Sequence, residues 1–240
     1  MLQLDLGKIL FLDIETVPQF SSFESLPEIM SELWEKKSSY FRKDNESAAD
    51  VYARAGIYAE FGKIICISVG HFHKENSPEK KFRLKTFAGE DEKILLSDFI
   101  SMLEGYSDKK EIQLCAHNGK EFDFPYLARR ILINSLKLPS LLNFAGKKPW
   151  EVQHLDTMQL WKFGDYKHYT SLELLATVFG IPSPKDETDG SMIHSIFWQD
   201  KDLKRITEYC QRDVITVAQL ILKFCGKDYL KEKEIEIVSS

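Results

Sequence analysis

The stretch Ile9–Gln19, ILFLDIETVPQ, decides how the rest of the chain is read. Five of the six residues from Ile9 to Ile14 are apolar. A strand that is apolar on both faces belongs in the middle of a sheet covered on both sides. The exceptions are Asp13 and, just past the run, Glu15. Positions i and i+2 of a strand point to the same face, about 7 Å apart along the chain. Two carboxylates on one buried face repel, and each is costly to desolvate unless positive charge lies between them. A divalent cation meets that need, and carboxylate oxygens suit magnesium or manganese. The competing reading is a strand ending at solvent, with both acids hydrated or capping the next segment.

Outward from this strand, residues 20–58 change character. Leu26, Ile29, Met30, Leu33 and Trp34 recur at helical spacing, and Ala48, Val51, Tyr52 and Ala55 do so again after the polar stretch 42–47. The pattern predicts a helical hairpin inserted after the first strand, placed to wall whatever groove Glu15 faces. GKIICISVGHF (62–72) predicts a strand, and KKFRLKTFAG (80–89) an edge-side partner, with 73–79 as the turn. Residues 90–104 predict a helix, IQLCAHN (112–118) a strand, and DFPYLARRILINSL (123–136) a helix with Pro125 in its first turn. EVQHLDTMQLW (151–161) starts as a short strand and passes into a helix. SLELLATVFG (171–180) is a helix stopped by Gly180 and Pro182. Residues 201–223 form the longest helix, with a stripe of Leu203, Ile206, Cys210, Val214, Val217 and Ile221. The tail 226–240 reads as a short edge strand or a mobile end. This order predicts an α/β fold: a mixed sheet of five to six strands with helices on both faces, in a single domain over residues 1–240.

The 240 residues are 43% hydrophobic and 29% charged, with a net charge of -5, so nothing in the bulk composition announces a polyanionic partner. A local patch or bound cations can still hold one. No apolar run approaches the roughly 18 residues of a membrane span, and the first residues, MLQLDLGK, lack a secretory signal. Cys66, Cys115, Cys210 and Cys225 are scattered singly and read as free thiols in a reducing cytoplasm.

Two further features carry chemistry. In CAHNGKEFDFPYL a strand ends at His117–Asn118, Gly119 permits a turn, and Asp123 sits at a helix start, where an acid also serves as a plain cap. In EYCQRDV, Tyr209 and Asp213 are i and i+4 on the long helix, beside its apolar stripe. They are placed to line a cleft or merely to bond each other at the surface.

Taken in order, DxE on the first strand, NxxxFD at a strand-to-helix junction and YxxxD on a late helix resemble the DEDDy class of 3′–5′ exonucleases, which share the ribonuclease H-like fold. FLDIET, AEFGKIICISVG, AHNGKEFDFPYLARR and YCQRDVITVAQL are similar to the proofreading exonuclease module of family B DNA polymerases. The likeness spans roughly residues 8–225 and extends to the stand-alone predicted exonucleases related to that module. It implies two divalent cations, Mg2+ or Mn2+, held by Asp13, Glu15, Asp123 and Asp213, with no covalent cofactor. Asp13 would bridge the ions, Glu15 and Asp213 would hold the one that activates water, Asp123 would act on the other, and Tyr209 would orient the attacking water. It also implies a single-stranded 3′ end as the partner, DNA ahead of RNA, and no membrane; a polymerase or repair partner stays undefined. A strand-binding domain with little turnover, an RNA-directed exonuclease and an endonuclease of the same fold are the alternatives.

Around this set, Ile14, Thr16, Asn118 and Phe122 are candidate substrate contacts. Ile14 would act through its backbone N–H; Thr16 reads equally as a strand-end residue, and Phe122 more readily as a core ring. Asp156 reads as a helix cap ahead of a partner for a site lysine, and His117 and His154 as buried histidines with satisfied partners ahead of catalytic ones. Lys185, in the turn-rich loop 180–193, and the doublets Lys36–Lys37, Arg129–Arg130 and Lys147–Lys148 are candidates for phosphate contact or simple surface charge.

Overall fold

β1 (Ile9–Pro18) lies at the centre of a six-stranded sheet, as its two-sided apolar run requires. The computed structural model describes residues 1–73, 81–106, 112–165, 169–181 and 189–238. Lys185 and most of the 73–79 turn fall outside them. The other strands are β2 (Gly62–His73), β3 (Lys81–Ala88), β4 (Gln113–Ala116), β5 (Leu155–Asp156) and β6 (Ile235–Val238), in the order β5-β4-β1-β2-β3-β6. β1 pairs antiparallel with β2, and β2 with β3. The β1–β4, β4–β5 and β3–β6 pairs are parallel, so the sheet is mixed. β6 makes the tail an edge strand and β3 an interior one, with Arg83 Nε 3.1 Å from Glu236 Oε2 across the new edge.

The helices are α1 (Glu28–Ser38), α2 (Glu92–Glu104), α3 (Asp123–Ile133), α4 (Thr157–Lys162), α5 (Leu172–Phe179), α6 (Ile193–Ser195) and α7 (Leu203–Phe224). They cover both faces, and the alternation along β1 shows how. Leu10, Leu12 and Ile14 share a core with Leu95, Leu96 and Phe99 of α2 and with Leu127 and Ile131 of α3. Ile9 and Phe11 pack instead with Val214, Val217, Ala218 and Ile221 of α7. Each such side chain contributes about 1.5–3 kcal/mol by leaving water, which fixes the register of β1. Asp13 and Glu15 continue the second row, on the face that α7 covers. Among the described residues, no helix is long and apolar enough to cross a membrane.

The insertion differs from the predicted hairpin. Its first helix forms, but its second segment is a 3-10 turn, Tyr52–Ile57, reached through turns. Trp34 is the reason. Its indole N–H donates to the Ala48 carbonyl at 2.9 Å, and the rings of Phe41, Tyr52, Tyr58 and Phe61 surround it edge-on. Ala48, Val51, Tyr52 and Ala55 wrap this one ring, and a spacing of three to four serves that as well as an α-helix. Ile29 and Leu33, read as part of the apolar stripe of α1, face solvent. The insertion leans on α3, where the Tyr126 hydroxyl donates to the Gly56 carbonyl at 2.7 Å. Gly62 is required there: a Cβ would lie 2.2 Å from the Tyr126 hydroxyl.

Arg130, read as surface charge or a phosphate contact, is buried. It forms a two-armed ion pair with Glu92 and donates to the Ala59 carbonyl at 2.8 Å, while Glu92 also accepts from the Ile64 amide at 2.7 Å. This cluster ties α3 to α2 and β2. Arg129 is exposed, as are Lys36–Lys37 and Lys147–Lys148.

Candidate active site

β1 pairs with β4 only from Ile9 to Phe11, so beyond Phe11 that side of β1 is free of strand. The chain leaving β4 turns there and re-enters as α3. Asp123, in the first turn of α3 and 3% exposed, comes to rest where the Ile14 backbone N–H donates to its carboxylate. From the other direction α7 crosses the same opening and brings Tyr209 and Asp213. The result is a cleft of about 1130 Å³. Asp13, Glu15, Asp123, Tyr209 and Asp213 all line it, as do Ile14, Asn118 and Phe122. Thr16 does not share that lining. The register of β1 against β2 shifts between Glu15 and Thr16, and the Thr16 side chain bonds the Tyr126 hydroxyl on the α3 side. None of the lining residues comes from 20–58, so the insertion does not wall this cleft.

The acids crowd one another in the cleft, Glu15 and Asp123 buried and Asp13 and Asp213 half-buried. Burial, then the charges of Glu15, Asp213 and Asp123, hold the Asp13 carboxyl well above the usual carboxylate range. Glu15 is pushed the same way by burial first and Asp213 next. Asp123 is raised by burial to about 7, against the backbone N–H groups that bond it. Asp213 rises less, to about 6, because the Tyr209 hydroxyl donates to it and the Arg212 guanidinium lies near. Burial and then Asp213 drive the Tyr209 phenol above its ordinary value, so it stays protonated and acts as a donor. One oxygen of Asp13, Oδ2, is enclosed without a hydrogen-bond partner. An orphaned carboxylate oxygen among mutually repelling acids fits a divalent cation, and the all-oxygen donors suit a hard one.

The tightest potential metal-ligating group among the described residues is Asp13, Glu15 and Cys210, whose ligand atoms lie within 4.8 Å of one another. Asp123 and Asp213 line the same cleft, and their charges act on Asp13. Burial pushes the Cys210 thiol well up, and it donates to the Asp13 carbonyl at 3.4 Å. Cys210 therefore stays a thiol that ties α7 to β1, and the acids offer the oxygen atoms that a hard cation prefers.

The turn into Asp123 forms around Gly119, as expected. Asn118, not Gly119, takes the left-handed conformation, with φ 61°. Gly119 is needed for space: a Cβ would sit 2.5 Å from that of Ala116 and 2.9 Å from the Phe124 ring. The Asn118 Oδ1 atom is buried in the cleft wall without a partner. Phe122 serves both readings, lining the cleft and packing on the Tyr126 ring at 5.4 Å.

His117 and His154 are satisfied, as the sequence suggests. His117 donates through Nε2 to the Thr170 carbonyl at 2.8 Å, and its Nδ1 lies 2.9 Å from the Thr157 hydroxyl. His154 accepts from the Leu114 amide and donates to the Leu141 carbonyl. Burial lowers both imidazoles, which keeps them neutral.

The sequence reading missed the far wall of the cleft: Tyr169, Ser171, Glu173, Thr177 and Asp189, with Arg212 and Thr216 on α7. Tyr169 packs edge-on against His117. Arg212 and Thr216 were findable, because they lie three and seven residues beyond Tyr209 along one helix face. The other wall has no such signal, because α5 reaches the cleft only through tertiary packing on α7.

A family B DNA polymerase from the hyperthermophilic archaeon Pyrobaculum calidifontis shares this architecture with a TM-score of 0.51 at 15% identity, over 91% of this chain and 24% of that one. The fold is thus the ribonuclease H-like α/β fold found in the exonuclease domain of such polymerases. The chain belongs to the family described as predicted 3′–5′ exonucleases related to the exonuclease domain of PolB, whose model matches residues 57–236. That span contains Asp123, Tyr209 and Asp213 and begins after Asp13 and Glu15. No curated protein matches the sequence.

Proposed function

We propose that the chain is a metal-dependent 3′–5′ exonuclease of the DEDDy type that shortens single-stranded nucleic acid, DNA ahead of RNA, from its 3′ end and releases nucleoside 5′-monophosphates. The observation that carries this is the convergence of Asp13, Glu15, Asp123 and Asp213 around an unpartnered Asp13 oxygen, with the Tyr209 phenol bonded to Asp213 at the rim. Family membership supports the direction of attack. Four acids at the bottom of the cleft would repel a phosphate on their own, which favours a cation between them and the strand.

On this reading the four carboxylates hold two divalent cations, Mg2+ or Mn2+. Bound there, the ions supply Lewis acidity toward a phosphoryl oxygen and make a water nucleophilic near neutral pH. The protein's share is positioning. Core packing of Ile9, Phe11, Leu10 and Leu12 on both sides of β1 holds Asp13 and Glu15 rigid. The Tyr209 hydroxyl, kept protonated, orients Asp213 and a water beside it. Asn118 and Phe122 line the cleft where the terminal nucleotide would lie, and the Phe122 ring can stack on a base. The cell compartment on this reading is the cytoplasm.

The test is a 5′-labelled strand incubated with Mg2+ or Mn2+. A ladder shortening from the 3′ end, resistance of a 3′-blocked strand and mononucleotide products are expected. Cleavage of a circular strand would contradict the exonuclease assignment, and strand binding without product would replace it with a binding domain. Matched DNA and RNA strands run side by side decide the substrate.

A further inference from the structure

Asp156 caps α4, as its sequence context suggests: Oδ1 accepts from the Met158 amide at 3.0 Å and the Gln159 amide at 3.3 Å. The same carboxylate also reaches out of its own element. Oδ1 accepts from the Asn118 amide at 3.0 Å and Oδ2 from the Lys120 amide at 3.1 Å. Four backbone N–H groups thus converge on one side chain that is 2% exposed. Two of them belong to the turn that leaves β4 and delivers Asp123. That turn contains Asn118 at φ 61°, a left-handed conformation that asparagine adopts more readily than most side chains. Here the bonds on either side of it, at its own amide and at Lys120, end on the same carboxylate. The β4–β5 pairing, Ala116 opposite Asp156, brings the carboxylate beneath the turn.

We infer that Asp156 is a positioning residue for the active site: by pinning the Asn118–Lys120 turn it sets where Asp123 and the Asn118 side chain meet the cleft. This rests on the exonuclease reading of that cleft. Asp156 is not part of the cleft lining; it acts through the turn, and its charge also reaches Asp123. The pairing of an outer carboxylate with the loop that carries an inner one is how ligand orientation is commonly fixed in metal centres.

A serine separates the two jobs of Asp156. Serine caps a helix start about as well as aspartate, yet its short single hydroxyl cannot serve the two turn amides as well. The full chain is compared as wild type, Asp156→Ser and Asp156→Asn by Mn2+ binding without nucleic acid, read by electron paramagnetic resonance or calorimetry, alongside thermal melting. Asp156→Ser is expected to melt within a few degrees of wild type and to lose roughly 10–100-fold in Mn2+ affinity, the usual cost of an outer-shell partner. Asp156→Asn keeps an acceptor for three of the four N–H groups and recovers part of that loss. Wild-type Mn2+ affinity in both variants overturns the positioning role; if Asp156→Ser does not fold, wild-type affinity in Asp156→Asn overturns it alone. If the wild-type chain itself binds no Mn2+, the exonuclease reading fails, and this inference with it.

Discussion

The Tyr209 hydroxyl donates a hydrogen bond to the Asp213 carboxylate one helical turn further along α7. The bond has a direction with consequences. It keeps Asp213 the least perturbed acid of the four, near 6, and leaves the phenol protonated. The Arg212 guanidinium lies 5.7 Å from the centre of the Tyr209 ring and adds to the same effect.

Tyr209→Phe should therefore do more than remove a water contact. With the donor gone, Asp213 loses a stabiliser of its charged form and titrates at higher pH. The expected result is a fall in rate of roughly 10–100-fold with the fold intact, and an acid limb of the pH–rate profile moved upward. An unmoved acid limb would show that the hydroxyl does not govern Asp213.

The crowded acids make the cation-free protein sensitive to alkali. Asp123 has a folded-state value of about 7 and Asp213 about 6, both above the ordinary range near 4 that holds when unfolded. Raised carboxyl values mean that the folded state binds more protons. Their contribution is present below the unfolded value and is lost as pH rises through the folded one. In chelator, melting temperature should fall by several degrees between about pH 5 and pH 8. Mn2+ should reverse the fall, and Asp13→Asn should flatten it. A cation-free melting temperature that rises over this range would contradict the electrostatic account.

The Arg130–Glu92 pair predicts the opposite kind of effect, on stability alone. Arg130→Ala leaves Glu92 buried without its partner, which costs about 3–5 kcal/mol. Urea unfolding should show that loss, while turnover per folded molecule stays unchanged. A loss under about 1 kcal/mol would mean that water or Asn134, which also donates to Glu92, takes over.

What the sequence reveals of the fold and the site depends on the range of each signal. Alternation along β1 and the stripe of α7 are local, and they place Asp13, Glu15, Tyr209 and Asp213 on facing elements. The tail reads equally as the edge strand β6 or a mobile end, because a four-residue pattern does not say what it pairs with. The segment after Trp34 misleads, since residues wrapping one indole recur at nearly the spacing of a helix. Arg130 looks like surface because its partner Glu92 is 38 residues away in sequence. Asp156 shows only its local bonds to Met158 and Gln159; the bonds to Asn118 and Lys120 exist only once β5 lies beside β4. Thr16 sits one residue past Glu15, so strand alternation sends its side chain to the other face, and only the packing of α3 there shows that it meets Tyr126.

The central claim is that Asp13 and its three companions make a cation-dependent 3′-end nuclease. The direct measurement tracks a 5′-labelled single strand with Mn2+, comparing wild type with Asp13→Asn, a change that preserves shape and removes the charge. The account predicts stepwise 3′ shortening by the wild type, none in chelator, and a loss of at least about 1000-fold in Asp13→Asn, the scale of a group acting directly on the reacting centre. Full activity in Asp13→Asn, or shortening that persists in chelator, would contradict it.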